Sequence, residues 1–200
     1  IVRHAILRGM TRGRLEAFSD AVIAIAITIM VLGLVPPRRA RLDDLLALWP
    51  HLLSYVLSFA YLAIYWNNHH HLLQAARTVS GGVLWANMHL LFWLSLIPFG
   101  TAWIGETQFA TVPMAIYGVL LIMSAIAYWF LVRALIRAPG QSPTIAEALA
   151  GDRKGALSPF VYGAAIVLAS VAPLVSLLLY MVVAAIWIVP DPRIERRIAG

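Results

Sequence analysis

The chain has 200 residues, of which 62% are hydrophobic and only 12% charged, with a mean hydropathy of +0.83. A soluble domain carries about twice that share of charge, so the composition specifies an all-α, polytopic membrane protein and excludes a soluble domain. The formal charge of +6 and a pI near 10.2 go with topology and anionic lipid headgroups rather than nucleic acid, and the lack of cysteine leaves neither a disulfide framework nor thiol chemistry.

In chain order, a basic stretch through Arg14 leads into an apolar run, Leu15 to Val35. A bilayer core about 30 Å thick takes about 20 apolar residues per helix, so this run reads as a full span. A cleaved signal would have a shorter apolar region and a small-residue cleavage site, and none is expected here. Leu45 to Trp66, Val83 to Ile104 and Val112 to Val132 read as three further spans. Leu157 to Val189 is too long for one span, and Pro173 removes a helix hydrogen bond within it. Two short helices joined by an apolar turn at Ser170 to Ser176 are therefore expected. The sum is six spans in a single domain, residues 1–200, with no fixed repeat and no low-complexity tract. Most of the tryptophans fall near span ends, where amphipathic rings prefer the interface.

Charge placement sets the sidedness. With both termini on one side, twelve of the fifteen basic residues fall in inner segments: Arg3, Arg8, Arg12, Arg14, Arg77, the Arg133 to Lys154 stretch, and Arg193, Arg196 and Arg197. Only Arg38, Arg39 and Arg41 lie outside, partly offset by Asp43 and Asp44. Positive residues stay cytoplasmic, which puts both termini inside.

The first span has two characters. At 100° per residue, Ile25, Ile29 and Leu32 share one face, with Val22 and Thr28 on its flanks. Asp20 lies roughly 140° from Ile25, in a polar patch that points elsewhere. Arg14 and Asp20 are about 120° apart, too far round to pair as an i, i+4 couple, so each needs a partner on another helix. An ionisable group within a span costs about 2.5 to 3.5 kcal/mol unless it finds one. The end of the second span, Tyr65 to Leu73, and the start of the third, Leu84 to Leu91, lie at the same inner level. His69, His70 or His71, with Asn87 and Trp85, are the candidate partners.

Three motifs carry a resemblance: R-x-x-x-F-S-D from Arg14 to Asp20, W-x-x-H-H on the second span, and L-I-P-F-x-T-A-x-x-G-E from Leu96 to Glu106. Together they resemble the bacterial branch of the transmembrane protein 175 family, whose best-known member is the lysosomal potassium channel. The resemblance covers essentially the whole chain. It implies a bacterial cell-membrane protein, a six-helix subunit, a homotetramer, and a central pore lined by the first helix that favours potassium as its permeant ion. On those terms Ile25 forms the narrowest ring, Ile29 and Leu32 form rings one and two turns further on, and Thr28 takes the hydroxyl position implicated in selectivity. The family's arginine, serine and aspartate match Arg14, Ser19 and Asp20, which with Phe18, His70, Trp85 and Asn87 form a structural network behind the pore.

Other chemistries fit less well. No T-V-G-Y-G filter of the usual potassium-channel kind occurs, nor an arginine-rich voltage-sensing helix. Adjacent histidines on a helix diverge by 100° and cannot all face one ion, so no metal or other cofactor is expected. No nucleophile and base pair, zinc signature or phosphate loop points to an enzyme. The rival is a proton-coupled transporter using Asp20 and the histidines, since intramembrane carboxylates and imidazoles form proton relays.

Overall fold

A computed structural model describes residues 11–140 and 153–188. Arg3, Arg8, Arg193, Arg196 and Arg197, expected on the inner side, and the end of the last run at Val189 lie outside the described residues. Eight helices, and no strand, occur among those described: α1 Arg12–Leu32, α2 Leu42–Leu46, α3 Trp49–Ala75, α4 Gly81–Ser95, α5 Ile97–Glu106, α6 Thr111–Arg137, α7 Arg153–Leu168 and α8 Pro173–Ile188. Three segments are long and apolar enough to cross a membrane: Arg12–Leu32, Gly81–Glu106 and Thr111–Arg137. α7 and α8 are shorter apolar helices. α3 is as long as α6, but His51 near its start and the Asn-Asn-His-His-His run, residues 67–71, toward its end lower its hydropathy.

The boundaries follow local chemistry. α1 stops at Gly33, whose N–H bonds Met30 O at 3.2 Å, and the Pro36-Pro37 pair that follows cannot easily re-enter a helix. The second apolar run begins later than its hydropathy suggests. Leu42–Leu46 forms a separate short helix with Asp43 and Asp44 in its first turn, where carboxylates favour the helix dipole. α3 then starts at Trp49 with Pro50 in its first turn and runs to Ala75, nine residues past the expected end at Trp66. Ser80 caps α4, its hydroxyl accepting from Val83 N–H at 3.4 Å.

The third apolar run is not one straight helix. It breaks at Leu96 into α4 and α5, because Pro98 has no N–H to give the carbonyl four residues back at Leu94. The break at Pro173 matches the sequence reading, but the turn is shorter than expected, residues 169–172. Proline is well placed at a helix start, so α8 begins at Pro173 itself. Ser176 is already helical, and its hydroxyl donates to Ala165 O at 2.6 Å.

α1 packs against α3, α4 and α5, while α6 packs against α4, α5, α7 and α8. The α1 side chains turned inward are Leu15, Ser19, Ile23, Ala26 and Met30. Farther from α1, a tyrosine cluster fills the core with every named hydroxyl satisfied. Tyr61 donates to Tyr180 O at 2.7 Å, Tyr180 donates to Met114 O at 3.1 Å, and Tyr117 shares a 2.7 Å bond with Ser58. Gly118 lets α6 approach α8 so closely that a Cβ there would overlap the Tyr180 hydroxyl. Two tethers join helix ends at the level of the start of α1: Arg12 donates to Gln74 O at 2.9 Å, and Thr78 to Pro139 O at 2.6 Å.

Candidate functional site

α1 separates its two faces cleanly. Ile25 is 56% exposed, Ile29 51% and Leu32 79%, whereas Ile23, Ala26 and Met30 between them are buried. Burying a side chain of this size contributes about 1.5–3 kcal/mol. Large aliphatics are uncovered on the other long helices too, but on α1 they form one row opposite a packed face, a surface left for lipid or another chain. Thr28 is exposed beside them, and its hydroxyl donates to Ile25 O at 2.9 Å. With its proton spent on that carbonyl, the oxygen keeps its lone pairs free to accept from outside the helix.

Behind this face lies a buried three-residue chain. Asn87 Nδ2 donates to Ser19 Oγ at 2.9 Å, and Ser19 Oγ donates to Leu15 O at 2.8 Å. On the other side Asn87 Oδ1 is 2.7 Å from His69 Nε2. All three side chains are 0% exposed. With the Asn87 oxygen assigned to His69, the imidazole carries its proton on Nε2, and His69 Nδ1 has no hydrogen-bond partner. The imidazole that reaches Asn87 is thus His69 and not His70. His69 stands in register with the buried Leu62 and Leu73 on α3, and one residue's rotation carries His70 about 100° away.

Asp20 is half-buried and takes a different partner from any expected. Its Oδ1 accepts from Trp66 Nε1 at 3.0 Å. Trp66 stacks on His70 with ring centroids 5.7 Å apart and planes at 15°, and His70 Nδ1 lies 2.9 Å from Glu16 Oε1. Gln74 Nε2 is 2.8 Å from the other nitrogen of the same ring. Glu16 and Asp20 are spaced i, i+4 on α1, as Trp66 and His70 are on α3. The two pairs meet across the helix contact. Glu16, Trp66 and Gln74 were not foreseen as site residues, although the matching spacings were in the sequence.

Three other expected members stand apart from the network. Trp85 is 78% exposed and carries no bond to Asp20 or Ser19, because its position on α4 is two residues, and about 200°, from buried Asn87. Phe18 is 49% exposed and shares the outward face of Ile25, seven residues on. Arg14 is exposed and has no side-chain partner among the described residues. Also among the described residues, no group of three or more His, Asp or Glu side chains is placed to hold a metal ion.

The family model for the endosomal/lysosomal potassium channel TMEM175 matches residues 14–98, the part holding α1, the Asn87 chain and the Pro98 break. A protein named as a potassium channel from Chryseobacterium sp. (strain P1-3) is 49% identical over 187 residues, covering 94% of this chain and 97% of that one. A second, from Streptomyces collinus, is 32% identical over 133 residues, 60% of this chain and 65% of its own. The fold matches the crystal structure of a lysosomal potassium-selective channel TMEM175 homolog from Chamaesiphon minutus with a TM-score of 0.79 at 28% identity, covering 88% of this chain and 96% of that one. These relatives are channels and not enzymes, and with near-complete coverage at 49% identity the chain belongs to the TMEM175 family.

Proposed function

We propose that the protein is a potassium-preferring cation channel: a homotetramer of six-span subunits, each a single domain over residues 1–200, with both termini cytoplasmic and α1 lining a central pore. The observation that carries this reading is the two-faced α1, with Ile25, Ile29 and Leu32 uncovered while the opposite side of the helix is fully packed. Four such helices around an axis would make apolar rings at successive turns, with Ile25 the constriction. An apolar ring narrow enough to shed water blocks ions without a plug. Thr28 then supplies the one side-chain oxygen beside the rings, and a partly dehydrated cation gains from it. Ser19, Asp20, Asn87, His69 and His70 set the rotation and packing of α1 rather than touch the ion, whereas the exposure of Phe18 on the face of Ile25 favours the inner mouth of the same pathway.

The proton-coupled carrier is the less favoured reading, since the relatives are named potassium channels. Reconstitution into liposomes with a potassium gradient and symmetric pH tests the choice. A reversal potential near the potassium equilibrium value supports the channel, and flux that requires a proton gradient refutes it. Ile25→Asn should raise leak and weaken discrimination between potassium and sodium. Unchanged current and selectivity in that variant would remove Ile25 from the constriction.

A further inference from the structure

We infer that the outward face of α6 is a binding site for one anionic phospholipid of the inner leaflet, with Arg133 and Arg137 holding its headgroup phosphate. Along α6, Val112, Ile116, Val119 and Phe130 lie on one side of the helix and are 59%, 37%, 40% and 47% exposed, respectively. From Val112 to Phe130 the helix rises about 27 Å, close to the thickness of a bilayer core of about 30 Å. The same face continues without interruption into Arg133 and Arg137, one and two turns past the end of the apolar stripe. The stripe therefore fits acyl chains, and the arginines stand where the phosphate layer begins.

The headgroup end is organised as well as charged. Arg133 Cζ lies 4.9 Å from the centroid of the Trp129 ring, a cation–π contact that holds the guanidinium in place while leaving its N–H fork free. Trp129 is half exposed, an amphipathic ring at the level such rings prefer. Neither guanidinium has a carboxylate partner among the described residues, so both forks are open to an oxyanion, the planar bidentate geometry that suits phosphate. α6 packs on α4, α5, α7 and α8, and α1 on α3, α4 and α5. A pore axis at α1 thus leaves the α6 face on the lipid side.

Native mass spectrometry of the delipidated oligomer titrated with phosphatidylglycerol or phosphatidylcholine tests the site. Wild type should retain phosphatidylglycerol over phosphatidylcholine. R133Q/R137Q should lose about thirtyfold in that retention, the factor two basic residues supply near an anionic surface, while R38Q/R39Q, with the same loss of charge on the outer side, should match wild type. R133K/R137K keeps the inward charge bias that sets topology and removes only the forks, so it should bind between the two. Val119→Gln interrupts the acyl stripe and should weaken lipid retention with both arginines intact. Equal retention in wild type and R133Q/R137Q, equal loss in R38Q/R39Q, or full displacement of the lipid by millimolar inorganic phosphate would each overturn the assignment, the last by making this a free-phosphate site.

Discussion

The chain Ser19–Asn87–His69 joins three helices through two side-chain bonds, and its worth can be worked from the geometry. Asn87→Leu keeps the approximate volume and deletes both bonds. Ser19 loses little, because its proton is already committed to Leu15 O and only an acceptor site empties. His69 loses its partner outright: its ring is 0% exposed, and its Nε2–H is left buried and unpaired. An orphaned buried donor costs about 1–3 kcal/mol, and each net bond contributes about 0.5–1.5 kcal/mol. Asn87→Leu should therefore destabilise the subunit by about 2–4 kcal/mol.

A double-mutant cycle separates the bond from simple repacking. His69→Phe removes the orphaned donor while keeping a planar ring, so Asn87→Leu combined with His69→Phe should cost less than the two changes added. Couplings between side chains in membrane proteins average about 0.6 kcal/mol with a maximum near 1.7. Full burial and the lack of any second partner for His69 place this pair toward the upper end, about 1–1.5 kcal/mol. Reversible unfolding in mixed micelles of mild detergent and dodecyl sulfate measures all four proteins. The pair Glu16 and His70, with side chains 18% and 31% exposed, serves as the comparison and should couple more weakly. Strict additivity for Asn87 and His69, within about 0.3 kcal/mol, would refute the assignment of the hydrogen bond.

Four further outcomes are expected. Asp20→Asn keeps an acceptor for Trp66 Nε1 and Asp20→Ala does not, so oligomer stability on size exclusion should fall in the order wild type, Asn, Ala; a stable Asp20→Ala oligomer without flux would instead favour a proton relay. Thr28→Val is nearly isosteric and removes the hydroxyl that faces outward beside Ile25, so bi-ionic potentials should show a reduced preference for potassium with assembly intact. Gly118→Ala forces a Cβ against the Tyr180 hydroxyl and to 2.6 Å from Ile166 Cγ1, costing about 1–3 kcal/mol of overpacking, whereas Gly163→Ala, with nothing within 4 Å, should stabilise α7 by about 0.5–1 kcal/mol; thermal unfolding in detergent compares the two. Gln108 is exposed and held at φ 51°, in the left-handed region that costs a side chain about 1–2 kcal/mol, so Gln108→Gly should raise the midpoint of the same transition.

The outward stripe of α1 was legible in the sequence because it depends only on the 3.6-residue period, which the spacing of Ile25, Ile29 and Leu32 satisfies. Partner choice was less legible because it depends on how each helix is rotated against its neighbours. Three consecutive histidines offer three directions, and only the packing of Leu62 and Leu73 on α3 selects His69. Trp66 shows a second limit. The general preference of tryptophan for the membrane interface offers a sufficient reason for Trp66 near a span end and so hides that its N–H donates to Asp20. Pro98 sat within a recognised motif, yet hydropathy averages across it, so the α4 to α5 break does not register in an apolar run.

The same geometry explains why a buried polar chain belongs beside an uncovered apolar face. Ser19 and Ile25 are about 120° apart around α1, so fixing one fixes the other. Apolar packing alone specifies the rotation of α1 weakly, since Ile, Val, Ala and Leu occur all round it and a slip of one residue exchanges one aliphatic for another. Ser19 cannot make that exchange without leaving Asn87 Nδ2 unpaired, and Asp20 cannot without losing the Trp66 indole. Hydrogen bonds to two different helices, α3 and α4, therefore hold one rotation, and in it Ile25 and Thr28 face outward. Loosening either contact should change which side chains face outward before it unfolds the subunit.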